Sequence, residues 1–111
     1  MITPIGEGEL PTFVEANEGK AQLLVFSAPW CGPCKAMAPT VDDVAEDYKG
    51  TLAVGKIDID EAPALAAQYA VRSVPTLIVL RDGAEVQRSL GGLSRTRLTM
   101  LLDKAIAGET A

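Results

Sequence analysis

The chain has two cysteines, Cys31 and Cys34, and its single tryptophan, Trp30, directly precedes them. All three lie in "APWCGPCK", residues 28–35. A pair this close has three uses: a structural staple, half of a metal site, or a reversible redox couple. Helical residues i and i+3 lie roughly 5 to 6 Å apart, inside the Cα range of about 4.4–6.8 Å that a disulfide accepts. Such a ring closes and opens with little backbone movement. Closing a four-residue loop removes little entropy from the unfolded chain, so a staple gains little here. Structural zinc takes four Cys or His ligands, and the chain has no histidine. A metal would therefore need two chains, each giving its pair, or carboxylates. The spacing favours a redox couple, with the metal half-site and an incidental pair as alternatives.

The reactive species in thiol–disulfide exchange is the thiolate. A helix predicted to start at Cys31 presents unpaired N–H groups and the positive end of its macrodipole to that sulfur. Cys31, before the first turn, is the expected nucleophile. Cys34, one turn in, is expected to be the more shielded sulfur and to resolve the mixed disulfide. Gly32 removes a side chain where a foreign sulfur must approach. Pro33 needs no N–H in a first turn and stiffens the loop.

The missing histidine excludes Ser-His-Asp hydrolysis, Cys-His proteolysis and His-ligated metals. Covalent haem is excluded too, because Lys35 rather than His follows Cys34. With 111 residues, 48% of them apolar, one domain over 1–111 is expected. A net charge of −5 argues against nucleic acid or anionic lipid as partner. The longest apolar run, around Thr76–Leu80, is too short to span a bilayer. The first ten residues show no basic and no apolar region of a secretory signal, so a cytoplasmic location is expected.

The elements that must position the cysteines follow from periodicity. Leu10, Phe13 and Val14 predict a helix over 9–18, stopped near Gly19. The continuous apolar run at 21–28 predicts a central strand covered on both faces. A helix follows from Cys31 to Gly50 with Met37, Val41, Val44, Ala45 and Tyr48 inward, and Pro39 inside it should kink it. A second buried strand is expected over 51–59. Asp60 is expected to cap a short helix whose inner face is Ala62, Leu65, Ala66 and Tyr69. A strand over 76–80, a turn at "RDG" 81–83 and a returning strand over 84–90 make a hairpin. Ser94 caps a last helix carrying Leu98, Leu101, Leu102, Ala105 and Ile106, with Gly108 as its stop. A short strand at 1–5 is possible. The order predicts an α/β fold with a central mixed sheet of four to five strands and helices on both faces.

"WCGPCK" at 30–35, Pro39, "VPT" at 74–76, Asp82-Gly83 and Gly91-Gly92 resemble the thioredoxin family, and the resemblance runs from about residue 10 to 107. It implies the thioredoxin fold and reduction of protein disulfides through a Cys31–Cys34 couple. It implies a cis peptide between Val74 and Pro75, and a docking surface framed by Trp30, Gly32, Pro33, Val74, Pro75 and Gly91. The residue before that proline would offer its backbone to an extended substrate strand. No bound cofactor is implied. Reducing equivalents would come from NADPH through a flavin-dependent thioredoxin reductase, and the protein would act as a monomer.

The chain departs from the family pattern at Val25, Ser27 and Pro29, the last directly before Trp30. The family's buried aspartate, in the strand before the motif, is Val25 here, and the aromatic two residues later is Ser27. Lys56 matches the lysine that the family sets beside that aspartate. Mid-strand and in step with Leu52 and Val54, Lys56 is expected to be buried and to support an anionic Cys34 electrostatically. A protein of this kind would be a stronger oxidant and a slower reductant near neutral pH. Against this, Lys56 could snorkel from a strand end, and Asp58 or Asp60 could supply the lost carboxylate. Two further alternatives are a thioredoxin-like protein specialised for one substrate, and a non-catalytic module that binds through Trp30 and Pro75.

Overall fold

A computed structural model describes residues 1–108 of the chain. Five strands form one sheet: β1 (Ile2–Pro4), β2 (Ala21–Ser27), β3 (Leu52–Asp58), β4 (Thr76–Arg81) and β5 (Ala84–Leu90). Their spatial order is β1-β3-β2-β4-β5. β1 and β2 both run parallel to β3, whereas β4 is antiparallel to β2 and β5 to β4. Four helices cover the sheet: α1 (Leu10–Ala16), α2 (Gly32–Asp47), α3 (Pro63–Gln68) and α4 (Arg95–Ile106).

β2 is central, and every one of its residues is buried. Its side chains alternate between two cores, as a strand covered on both faces must. Leu23 and Val25 pack with Met37, Val41 and Val44 of α2 and with Leu98 and Leu102 of α4. Leu24 and Phe26 pack with Leu10 and Phe13 of α1 and with Leu65 and Ala66 of α3. Fully burying one such side chain stabilises by roughly 1.5–3 kcal/mol, so these two layers fix β2 and the start of α2 that follows it.

Local signals hold where they are local. Asp82 and Gly83 both have positive φ, 53° and 80°, as a two-residue hairpin turn of primed type requires. Ser94 accepts a hydrogen bond from Arg97 N at 3.2 Å and caps α4. Pro39 lies inside α2, and Tyr48 serves as its C-cap, half-buried against the core. The tyrosine hydroxyl donates to Asp103 Oδ1 at 2.9 Å, tying α2 to α4. Burial and that carboxylate push the Tyr48 phenol up.

The expected cap of α3 is a correction. Asp60 does not cap it; Ala62 is the N-cap residue, without a side-chain bond. Glu7, far away in sequence, does the work instead. Its Oε2 and Oε1 accept from Ala64 N and Leu65 N, each at 2.9 Å. A carboxylate there satisfies two unpaired N–H groups and faces the positive helix end. We predict that Glu7→Ala lowers stability by about 1 kcal/mol. The check is urea denaturation, and an unchanged midpoint would show that the cap adds nothing.

Candidate active site

The mixed sheet brings one end of four strands together. Register pairs Phe26 with Thr76 and Thr76 with Leu90, and Ser27 with Asp58. The C-terminal ends of β2, β3 and β5 therefore meet the N-terminal end of β4. α2 starts at this edge, with four residues between it and β2. Crevices outside the carboxyl ends of strands are where α/β sheets place their sites.

Cys31 and Cys34 are joined as a disulfide, with Cα atoms 5.3 Å apart. Cys31 is the N-cap of α2, in extended conformation with φ −87° and ψ 109°. Its Sγ takes the place of a capping oxygen and accepts from Cys34 N at 3.1 Å. A thiolate at this atom would receive the same N–H and the positive helix end, which favours its charge. A Cβ at Gly32 would meet nothing within 4 Å. The fold itself therefore does not need a glycine there, and a side chain would stand out toward an approaching partner.

The order of shielding is the reverse of the sequence expectation. Cys31 is only 3% exposed, whereas Cys34 is half-buried. The cause lies in two side chains. Cys31 turns in to cap the helix. Cys34 faces a part of the sheet where Val25 and Ser27 are short. This leaves an open cleft of roughly 380 Å³ lined by Ser27, Cys34, Lys35, Ala38, Lys56 and Asp58, among others.

Lys56 is also corrected. It stays in step with Leu52 and Val54, on the face toward α2, but it is exposed. α2 covers Leu52 and Val54 fully, but at its first turns the cleft separates helix from sheet. The long side chain reaches water there. Lys56 lines the cleft with Cys34 and Asp58. No carboxylate lies within salt-bridge distance of it among the described residues.

Asp58 and Asp60 divide. Asp60 turns to the outer surface, where Trp30 Nε1 donates to its Oδ2 at 2.9 Å. Asp60 N in turn donates to Asp58 Oδ1 at 2.9 Å. Trp30 is 66% exposed, a large apolar ring held in place by one hydrogen bond. The Val74–Pro75 bond is cis, and Pro75 O accepts from Gly91 N at 2.8 Å. Gly91 has φ +83°, a conformation that favours glycine. The sequence reading missed Leu90, next to Gly91 and 69% exposed. Leu90 looks like a core leucine by type, and only its position at the open sheet end marks it as surface. Among the described residues no group of three or more His, Cys, Asp or Glu is placed to hold a metal.

The family model described as Thioredoxin matches residues 7–104. Thioredoxin of Staphylococcus aureus is 46% identical over 103 residues, covering 93% of this chain and 96% of that protein. Thioredoxin 1 of Synechococcus elongatus is 44% identical over 91 residues, 81% of this chain and 85% of that one. The X-ray structure of Fasciola hepatica thioredoxin superposes with a TM-score of 0.86 at 30% identity, covering 92% of this chain and 97% of the other. With a closed Cys31–Cys34 pair at the head of α2 in that fold, the chain belongs to the thioredoxin family and is a thiol–disulfide oxidoreductase, a protein-disulfide reductase.

Proposed function

We propose that Cys31 opens the reaction and Cys34 closes it. In the reduced protein the Cys31 thiolate attacks one sulfur of a protein disulfide. A bond forms between Cys31 and that sulfur, and the other substrate sulfur leaves as a thiolate and takes a proton. Cys34, as thiolate, then attacks Cys31 Sγ. The second substrate sulfur is released, and the Cys31–Cys34 bond is formed. Two electrons have passed to the substrate. The observation that carries this assignment is the capping contact from Cys34 N to Cys31 Sγ. It gives Cys31, and not Cys34, a hydrogen-bond donor and the helix end for its negative charge.

Trp30, Gly32, Pro33, Val74, Pro75 and Gly91 frame the surface on which the substrate docks, with the Val74 backbone offered to an extended strand. Lys56 gives electrostatic support from the cleft edge, weakened by its exposure. The stronger-oxidant reading depended on a buried, unpaired Lys56. With that ammonium in water, an ordinary reductase is the better reading. The protein acts as a monomer on disulfide-containing proteins in the cytoplasm, and a flavin-dependent thioredoxin reductase restores the dithiol from NADPH. No helix of the described residues is long and apolar enough to cross a membrane.

In a dithiothreitol-driven insulin-reduction assay, we predict that Cys31→Ser abolishes activity. Cys34→Ser should trap a mixed disulfide with the substrate, seen as added mass. Activity retained in Cys31→Ser would overturn the reading. A second prediction sets electrostatics against exposure. In the reduced protein at pH 7, Cys31 should react with iodoacetamide at least about ten-fold faster than Cys34, although it is the more covered residue. Peptide mapping of partly alkylated protein reads the ratio, and faster labelling of Cys34 would reverse the assigned roles.

A further inference from the structure

We infer that Asp58 is the proton acceptor for Cys34 when Cys34 attacks the mixed disulfide. This rests on the assignment of Cys34 as the resolving cysteine. An ordinary thiol with pKa about 8.5 is only a few per cent thiolate at pH 7. Cys34 also has no capping contact of its own, since its N–H is the donor to Cys31. Something must take its proton as the new S–S bond forms.

The sheet beneath Cys34 supplies no carboxylate, because Val25 and Ser27 stand there. One strand over, Ser27 pairs with Asp58 and Val25 with Lys56. Partners in a parallel pair point to the same face, and Val25 packs on Met37 and Val41 of α2. Asp58 therefore faces the first turns of α2, and it lines the cleft that Cys34 opens into. It is half-buried. Its Oδ1 is held by Asp60 N at 2.9 Å. Its Oδ2 has no protein donor among the described residues. One oxygen is thus fixed and the other is left to accept. Ser27 lines the same cleft, where its hydroxyl can relay a proton between them.

The other charges around this space do not serve as well. Lys35 and Lys56 are cations; they favour the thiolate but cannot accept a proton while charged. Asp42 shares a smaller cavity with Cys34, yet it is exposed and lies two helical turns further along α2. Glu9 and Glu61 flank Asp58 on its far side, in a cleft that Cys34 does not line.

The step balances. The Cys34 proton goes to Asp58, the Cys34–Cys31 bond forms, and the bond from Cys31 to the substrate sulfur breaks. The departing sulfur carries the electron pair and takes a proton back from Asp58 or from solvent.

The test uses Ellman's reagent and the reduced protein. Wild type should release two thionitrobenzoate equivalents. The first comes in a reagent-dependent phase as Cys31 attacks, and the second in a reagent-independent phase as Cys34 resolves. Asp58→Asn keeps the acceptor for Asp60 N–H and removes the base. It should leave the first phase unchanged and slow the second about ten-fold at pH 7, the low side of general-base effects because the cleft is open to water. The deficit should shrink toward nothing by about pH 9.5, above the ordinary thiol range, where a carboxylate base is no longer needed, and Asp58→Glu should recover part of the rate. Asp42→Asn should leave both phases unchanged. A second phase unaffected by Asp58→Asn, a deficit equal at both pH values, or a deficit found in Asp42→Asn instead overturns the proposal. Cys34→Ser reports the underlying role separately: it should stop after one equivalent, and release of both would overturn the role assignment and this proposal together.

Discussion

The contact on which the site depends is the hydrogen bond from Cys34 N to Cys31 Sγ at 3.1 Å. It makes a sulfur the cap of a helix, so a backbone requirement and a chemical requirement share one atom. A helix must find acceptors for its first N–H groups, and a thiolate must find donors. Sulfur at this place meets both needs, whether it is bonded to Cys34 or carries charge. Closing and opening the couple therefore asks little of α2. That economy needs the helix start to be immobile, which the fully buried β2 and the short connection into Gly32 provide.

The sheet topology gives the second half of the site. Because β4 runs against β2, its first residues stand next to the last residues of β2. The Pro75 carbonyl holds Gly91, at the end of β5, and Trp30 is held by Asp60, just past β3. Elements far apart in the chain thus gather at the sheet end that carries the cysteines, among them the cis Val74–Pro75 bond and the exposed Trp30 ring. An all-parallel sheet could not place a strand start beside the end of its neighbour in this way.

Val25 and Ser27 change how the second cysteine meets water. With short side chains below it, Cys34 faces an open cleft shared with Lys56 and Asp58. A charge in such a cleft is partly solvated, so each group shifts its neighbours less than it would in a dry interior. What is lost in electrostatic strength is offset by access, since water and mobile protons can reach the sulfur. Asp60 N fixes one oxygen of the carboxylate in this cleft, which orients a group that would otherwise be free to rotate.

The amino-acid sequence by itself determined what short-range chemistry decides. The continuous apolar run of β2 marked it as a strand buried on both faces. Asp82-Gly83 set the hairpin, Ser94 the cap of α4, and the i, i+3 spacing the reach of the disulfide. Each depends on residues within one turn or one strand. The tertiary structure decided what depends on residues brought from afar. Glu7 caps α3 across 57 residues, displacing Asp60 from the role its own neighbourhood suggested. Lys56 keeps the face its strand register dictates but not the burial, because burial depends on how far α2 extends over the sheet. The exposures of Cys31 and Cys34 are exchanged because Cys31 turns in to cap α2 while Cys34 faces the cleft over the short Val25 and Ser27. Periodicity tells which way a side chain points, but only packing against non-local elements tells whether anything covers it.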